Sequence, residues 1–97
     1  MKVVIVTGAA RGLGLSISKK LIKENYYVVG IGRSISADFE KLDKKLSNFY
    51  EFDLFEIDGI HNLIKEILKN HKNIYGLVNN AAIGMDGVLA TQHKKDI

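Results

Sequence analysis

The chain has 97 residues, of which 46% are hydrophobic and 26% charged, and a formal net charge of +3, as expected of one ordinary globular domain. It contains no cysteine, which excludes disulfides and thiolate metal sites, and its amino-terminal apolar run is shorter than a signal-peptide core of ~7–15 residues. No segment approaches the ~18 apolar residues of a membrane helix, and no long run of like charge occurs, so we expect a cytoplasmic protein without membrane or nucleic-acid binding.

The first predicted elements are a strand and a helix separated by a glycine-rich turn. Residues 2–6, KVVIV, form a nearly continuous β-branched run, which is typical of a strand buried on both faces of a parallel sheet. Over residues 12–25 the pattern becomes helical, because Leu13, Ile17 and Leu21 recur every four residues and share one face.

A second strand, a short helix and a third strand follow. Residues 26–32, YYVVGIG, predict the second strand. Ser34 or Ser36 is expected to cap a short helix that extends through Leu46. Residues 48–54, NFYEFDL, alternate between apolar and polar well enough to predict the third strand.

The clearest helix is predicted over residues 56–72. Its apolar side chains share one face and come from Ile57, Ile60, Ile64, Ile67 and Leu68. Asn73 is expected to end it in a left-handed conformation, residues 74–80 predict a fourth strand, and a further helix is expected to start near Thr91. The alternation of strands and helices predicts an α/β fold with a doubly wound parallel sheet.

The turn after the first strand contains three glycines, Gly8, Gly12 and Gly14. Glycine lets the backbone adopt positive φ and approach a ligand closely, and the N–H groups that open the next helix favour an anion. The Walker A pattern fails for lack of Gly-Lys-Ser/Thr, and Gly-x-Gly-x-x-Gly fails because Ile17 takes its last position. The remaining pattern, Thr-Gly-x-x-x-Gly-x-Gly from Thr7, predicts a phosphate-binding turn; a turn that serves chain geometry alone is the competing interpretation.

The segment TGAARGLG resembles the cofactor-binding signature of the short-chain dehydrogenase/reductase family, in the subgroup similar to β-ketoacyl reductases. Asp53, in EFDL, resembles the acidic residue that accepts a hydrogen bond from the adenine amino group, and residues 79–82, NNAA, resemble the family's Asn-Asn-Ala-Gly signature. Ala82 departs from that signature, which has glycine there. The resemblance covers essentially residues 1–97 and implies the amino-terminal part of a Rossmann-like NAD(P)-binding domain with strand order 3-2-1-4.

Arg11 and Arg33 are the only arginines in a lysine-rich chain. Arg11 lies in the glycine turn, and Arg33 ends the second strand, where nucleotide-binding folds recognise the adenosine ribose. An NAD-selective protein carries Asp or Glu there, whereas this chain has Gly32-Arg33-Ser34 and no carboxylate before Asp38. Because guanidinium groups match phosphate oxygens, we predict NADP as the cofactor, with NAD less favoured; two ordinary surface charges are the competing interpretation.

The candidate cofactor-binding residues come from the turn, the strand ends and the asparagine signature. Asn79 is included because the asparagine pair ends a strand at the carboxyl edge of the sheet, where ligands bind in such folds. The full set is Gly8, Arg11, Gly12, Leu13, Gly14, Arg33, Ser34, Asp53, Asn79 and Ala81.

The residues that transfer protons in this family have no match here. The family uses a serine and a tyrosine whose pKa is lowered by a lysine four residues later, and none of the four tyrosines has lysine at that spacing. The resemblance therefore implies the NADP(H)-binding portion of an oxidoreductase that transfers a hydride between NADPH and a carbonyl or alcohol, with the catalytic portion absent. The alternative is a truncated, non-catalytic nucleotide-binding or partner-binding module.

Two further expectations concern metals and association. No metal site is predicted, because His61, His71 and His93 are not grouped with acidic residues in the sequence. A fourth strand at the edge of the sheet would expose unpaired backbone groups, which are a template for pairing. We therefore expect a homo-oligomer or association through that strand.

Overall fold

The computed structural model, which describes residues 1–80, contains a four-stranded parallel sheet with apolar layers on both faces. In chain order its elements are β1 (Val3–Thr7), α1 (Gly12–Lys23), β2 (Tyr27–Gly32), α2 (Ala37–Glu40), β3 (Ser47–Glu51), α3 (Ile57–Asn70) and β4 (Ile74–Val78). The strand order is β3-β2-β1-β4, and all neighbours are parallel. This confirms the predicted α/β fold and strand order. The helix predicted near Thr91 lies outside the described residues.

The side chains of β1 alternate between the two apolar layers, which is why its sequence is continuously hydrophobic. Val4 and Val6 belong to the layer that includes Leu15 of α1. Val3 belongs to the opposite layer, together with Ile67 of α3. Because β1 pairs with β2 on one side and β4 on the other, the turn that follows it lies at the centre of the sheet's carboxyl edge.

Helix α2 is shorter than predicted. Ser36 caps it, since its Oγ accepts a hydrogen bond from the backbone N–H of Phe39 at 3.0 Å. The prediction of a helix through Leu46 was wrong, because Asp43 starts a separate turn in which its Oδ1 accepts from the Lys45 N–H at 2.9 Å. Such local side-chain bonds offer the backbone an alternative to helical pairing.

The third strand also ends earlier than predicted, at Glu51 rather than at residue 54. Asp53 turns the chain: its Oδ1 accepts from the Phe55 N–H at 2.9 Å, and its carbonyl accepts from the Glu56 N–H at 2.8 Å. The turn leads into α3 and leaves Asp53 just beyond the end of β3. Helix α3 ends at Asn70, with the extended His71 as its C-cap residue, so the prediction that Asn73 ends the helix was wrong. Asn73 does adopt the expected left-handed conformation, with a φ of +58°, in the connection to β4.

Strand β4 lies at the edge of the described sheet, because within residues 1–80 it pairs with β1 alone. Its side chains Tyr75 and Leu77 are 60% and 63% exposed. The ring of Tyr75 lies 4.5 Å from Lys2 Nζ and 5.9 Å, between centroids, from the ring of Tyr26. These contacts cover only part of Tyr75, so β4 presents apolar surface along the edge that no other described strand pairs with.

The described elements can also be examined for a membrane-spanning helix and for a metal site. The longest helix, α3, has 14 residues, and no helix in this part of the chain is long and apolar enough to cross a membrane. Within residues 1–80, no three His, Asp or Glu side chains are grouped so that they could hold a metal ion.

His71 packs against two tyrosines just after α3. Its Nε2 lies 3.2 Å from the hydroxyl oxygen of Tyr50, and its ring centroid lies 5.3 Å from that of Tyr27. Burial in this position lowers the pKa of His71 below its ordinary value of 6.5, so the folded protein favours the neutral ring. The stability that the protein gains by holding this ring neutral is complete above the pKa of the unfolded state. It is lost as the pH falls from that value to the lower pKa of the folded state, because in this range the unfolded chain binds more protons than the folded one.

Acidification should therefore destabilise the protein in part through His71. We expect the free energy of unfolding to fall between about pH 7.5 and about pH 5.5, and to fall less in a His71→Gln variant, whose side chain does not titrate. Urea unfolding of both proteins at the two pH values measures the difference. An equal fall in both proteins would contradict this role for His71.

Candidate cofactor-binding site

The turn between β1 and α1 depends on glycine for two physical reasons. Gly8 and Gly12 have φ angles of +63° and +61°, in the left-handed region that other residues rarely adopt. Gly14 has no such angle, but a Cβ there would lie 2.0 Å from the carbonyl oxygen of Gly8. The first turn of α1 can therefore lie against the end of β1 only because position 14 has no side chain.

Helix α1 starts without a side-chain cap. Arg11 is the N-cap residue, its backbone is extended, and its side chain makes no capping hydrogen bond. The first turn also contains no acidic residue. The N–H groups at this end carry partial positive charge, and an end of this kind suits a phosphate group.

A pocket of about 310 Å³ opens beside this turn, near the carboxyl ends of β1, β2 and β3. Its volume is at the lower end of the ~300–1,000 Å³ that small-molecule sites occupy. It is lined by Gly8, Ala10 and Arg11 from the turn, by residues 31–34, by residues 52–55 and by Asn80. Four separate parts of the sequence thus meet at one cavity.

Both arginines of the chain line this pocket. Arg11 and Arg33 are exposed, and within residues 1–80 neither guanidinium forms an ion pair, since the salt bridge in this part joins Lys20 to Glu24. Gly32, which ends β2, adds no charge. The wall formed by the glycine turn and the end of β2 is therefore positively charged and available to an anion.

The loop after β3 forms a wall of different character. Phe52 and Leu54 are half-buried and pack against the apolar layer on the α3 face. Asp53 lies between them at the pocket, and one of its oxygens already accepts from the Phe55 N–H. A carboxylate has about four acceptor positions, so Asp53 keeps acceptor capacity beside an apolar surface that suits an aromatic ring.

Thr7 joins the ends of β1 and β4. Its Oγ1 donates to Asn79 Oδ1 at 3.1 Å and accepts from the Asn80 N–H at 2.8 Å. The Asn80 side chain donates from Nδ2 to the Gly8 carbonyl at 3.4 Å. Asn80 thus reaches the glycine turn and the pocket, whereas the side chain of Asn79 is turned towards Thr7.

Comparison with known proteins identifies the family. A sequence model described as short chain dehydrogenase matches residues 2–97. The chain belongs to the short-chain dehydrogenase family. This confirms the resemblance inferred from the glycine, aspartate and asparagine motifs, so the pocket described above lies in a member of a family of oxidoreductases.

Two curated relatives are similar to this chain over most of its length. The 3-oxoacyl-[acyl-carrier-protein] reductase FabG of Buchnera aphidicola (subsp. Acyrthosiphon pisum) is 37% identical over 86 residues, which are 87% of this chain and 35% of the relative. A probable NADP-dependent dehydrogenase of Haemophilus influenzae is 34% identical over 95 residues, which are 96% of this chain and 37% of the relative. The chain therefore spans little more than a third of these relatives' length.

A solved structure has the same fold. The short chain dehydrogenase/reductase YIR035C of Saccharomyces cerevisiae superposes with a TM-score of 0.68 and 34% sequence identity. The superposition covers 84% of this chain and 34% of the yeast protein. The described sheet thus corresponds to one part of a larger short-chain dehydrogenase fold.

The pocket brings together half of the residues predicted from the sequence, namely Gly8, Arg11, Arg33, Ser34 and Asp53. Gly12 and Gly14 shape the turn without lining the pocket, and the Leu13 side chain is 67% exposed and does not line it. Asn79 contacts Thr7 instead, and Ala81 lies outside the described residues.

Several pocket residues were not singled out from the sequence: Ala10, Ile31, Phe52, Leu54, Phe55 and Asn80. Ile31, Phe52 and Leu54 fall in predicted strands and so resemble core residues, and Ala10 and Phe55 lie in loops; in neither case does the residue type indicate a ligand. Their position gives a signal, because residues at the carboxyl ends of parallel strands line the ligand crevice of such sheets. Asn80 had the same signal as Asn79, and only the structure distinguishes the two side chains.

Proposed function

We propose that this chain is the NADP(H)-binding portion of a short-chain oxidoreductase that transfers a hydride between NADPH and a carbonyl or alcohol substrate. The observation that carries the proposal is the meeting of Arg11 and Arg33 at one pocket whose β2 side has no carboxylate. Family membership supports the dinucleotide, and a relative described as a probable NADP-dependent dehydrogenase supports the choice between the two cofactors.

The residues present fit the parts of such a cofactor. The diphosphate requires a turn without side chains next to free N–H groups, which Gly14 and the uncapped start of α1 supply. The adenosine 2′-phosphate requires positive charge at the end of β2, which Arg33 and Arg11 supply, and Ser34 adds a neutral hydroxyl that can donate a hydrogen bond. Adenine requires an apolar wall and an acceptor, which the loop containing Asp53 provides. The nicotinamide ring of the bound cofactor supplies the hydride.

The two arginines set the expected selectivity. A hydrogen bond to a charged group contributes roughly 1.5–3 kcal/mol, and about 1.4 kcal/mol corresponds to tenfold in affinity. NAD lacks the 2′-phosphate and cannot make these bonds. NADP should therefore bind this chain at least about tenfold more tightly than NAD.

Calorimetric titration of the 97-residue chain with NADP⁺ and NAD⁺ at one fixed ionic strength tests the proposal. Ionic strength has to be held constant because salt screens charge interactions at exposed sites. The expected result is binding of both, with the stated preference for NADP⁺. Equal dissociation constants for the two cofactors would overturn the proposed selectivity, and binding of neither would overturn the proposed site.

The same proposal implies that this chain alone does not turn over substrate. None of its four tyrosines has lysine at the family's spacing, and positioned proton transfer contributes ~10²–10⁴-fold to such rates. Following NADPH absorbance with a β-keto thioester should therefore detect no specific oxidation. Specific turnover would contradict the assignment of this chain to the binding portion alone.

A partner-binding function is favoured by the exposed edge of β4. We expect the average mass to rise with protein concentration, because β4 has one edge that is unpaired within residues 1–80 and an exposed apolar side chain, Leu77, and such edges promote pairing with another chain. Leu77→Lys should reduce this association, since lysine blunts edge strands, and Leu77→Ile should preserve it. Light scattering over a concentration series measures the mass, and a monomer at every concentration would count against association through β4.

A further inference from the structure

Ser36 connects the two loops that carry the arginines. Its hydroxyl donates a hydrogen bond to the carbonyl of Ala10, the residue immediately before Arg11. Ser36 itself lies three residues after Arg33 in the loop between β2 and α2. The same Oγ accepts from the Phe39 N–H at 3.0 Å, so one hydroxyl serves as a donor to the glycine turn and as the cap of α2.

This bond is the second attachment between the two loops. The first is at the strand ends, where the Gly8 N–H donates to the Ile31 carbonyl at 2.8 Å. The segment over residues 32–35, which includes Arg33, therefore lies between two fixed points on the glycine turn. Its other side is held by Glu51 of β3, whose Oε2 accepts from the Ile35 N–H at 2.9 Å.

Ser36 is itself anchored in the core through α2. Phe39, one turn further on, is 2% exposed, and its ring centroid lies 5.0 Å from that of Phe49. Gly30 of β2 makes room for it, because a Cβ at that position would lie 2.9 Å from the Phe39 ring. The Ser36 hydroxyl is thus presented to Ala10 from a fixed element.

We infer that Ser36 is a positioning residue for cofactor selectivity, because its hydroxyl ties the loop of Arg33 to the turn of Arg11 so that both guanidiniums serve the same 2′-phosphate. The inference rests on the proposed function, in which NADP is the preferred cofactor. Without the tie, the two arginines must be ordered relative to each other on binding, and ordering flexible groups lowers affinity. NAD has no 2′-phosphate, so the affinity for NADP falls and the affinity for NAD does not.

A cap that only stabilises α2 would behave differently. It would lower the stability of the protein and would weaken both cofactors to the same extent, leaving their affinity ratio unchanged. The affinity ratio is therefore the measurement that separates positioning from capping. Ser36→Thr keeps a hydroxyl that can both donate and cap, and it should rescue the ratio.

The experiment measures the dissociation constants of NADP⁺ and NAD⁺ for the 97-residue chain and for its Ser36→Ala, Ser36→Thr and Ser47→Ala variants. Ser47→Ala is the matched control, since Ser47 donates to the Asp43 carbonyl at 2.8 Å at the amino end of β3 and does not line the pocket. We expect the NADP-over-NAD ratio to fall about two- to tenfold in Ser36→Ala, the effect of one hydrogen bond, and to stay near the original value in the other two. Ser36→Gly, which keeps most of the capping preference, should lower the ratio as well and replaces Ser36→Ala if that variant does not fold.

The outcomes separate this inference from the function on which it rests. An original chain that prefers NADP, with an unchanged ratio in the Ser36 variants, overturns the positioning role and leaves the proposed function standing. An original chain with no NADP preference overturns both. A ratio that falls equally in Ser47→Ala also overturns the positioning role, because the effect then follows from stability alone.

Discussion

Replacing Gly14 with alanine is expected to lower the free energy of unfolding by about 3 kcal/mol and to abolish dinucleotide binding. The new Cβ would lie 2.0 Å from the carbonyl oxygen and 2.7 Å from the carbonyl carbon of Gly8. Both are backbone atoms, so no side chain can rotate away to relieve the overlap. The start of α1 would have to move away from the end of β1, and the phosphate-binding turn would open.

The overlap has to outweigh a favourable effect of the same substitution. Alanine is preferred over glycine inside a helix by about 1 kcal/mol, and Gly14 lies in the first turn of α1. Overpacking against rigid neighbours costs typically 1–3 kcal/mol and at times more. A contact at 2.0 Å from backbone lies at the severe end of that range, so we expect the overlap to dominate.

Two other glycines provide matched controls. A Cβ at Gly76 of β4 would meet no atom within 4 Å, so Gly76→Ala should leave stability and binding nearly unchanged. A Cβ at Gly12 would also meet nothing, but its φ of +61° is unfavourable for alanine by roughly 1–2 kcal/mol. Urea unfolding and cofactor titration should therefore show the smallest loss of stability and affinity in Gly76→Ala, a larger loss in Gly12→Ala and the largest loss in Gly14→Ala. A Gly14→Ala protein as stable as the original would contradict the packing described.

Removing both arginines is expected to weaken NADP binding by about a hundredfold and to change NAD binding only a few-fold. Each charge-assisted bond to the 2′-phosphate contributes roughly 1.5–3 kcal/mol, which is about tenfold in affinity for each arginine. A double variant with Arg11→Ala and Arg33→Ala removes both of these bonds. Arg11→Lys with Arg33→Lys should lie in between, because lysine keeps the charge and loses the planar fork.

The control for this double variant changes net charge by the same amount elsewhere. Lys44 and Lys45 are exposed and do not line the pocket, and replacing both with alanine lowers the formal net charge from +3 to +1, as the arginine double variant does. If affinity for NADP follows net charge alone, the two double variants lose equally. A similar loss in both would contradict specific recognition by the arginines, whereas loss confined to the arginine variant supports it.

The order of elements could be predicted because periodicity follows burial. The continuous run in β1 reflects its two covered faces. The helical spacing predicted α1 and α3 correctly, but their apolar faces are only partly buried within the described residues: Ile67 of α3 is buried, whereas Ile57, Ile64 and Leu68 of α3 and Leu13 of α1 are exposed. The bounds of α2 and β3 could not be predicted in the same way. At Asp43 and Asp53, just beyond the ends of α2 and β3, a side-chain oxygen accepts from the backbone N–H two residues on and forms a turn. Whether an aspartate does so depends on local geometry that the pattern of apolar residues does not encode.

Part of the site could be predicted for a topological reason. Parallel strands end at the same edge of the sheet, so the glycine turn, Arg33 and Asp53 meet at one pocket although they are far apart in sequence. The Ser36–Ala10 contact could not be predicted from the sequence, because it depends on how two loops face each other. The sequence also did not predict that Leu13 is exposed. The preference for NADP and the cytoplasmic location stay predictions.

The most direct test of the central claim compares two isomeric nucleotides, adenosine 2′,5′-bisphosphate and adenosine 3′,5′-bisphosphate. They carry the same charge and differ only in where the second phosphate is attached, so non-specific attraction to a positively charged protein affects both alike. With Arg11 and Arg33 recognising a 2′-phosphate, the 2′,5′ isomer should bind the 97-residue chain at least about tenfold more tightly. Equal affinity for the two isomers would contradict the assignment of this pocket to NADP.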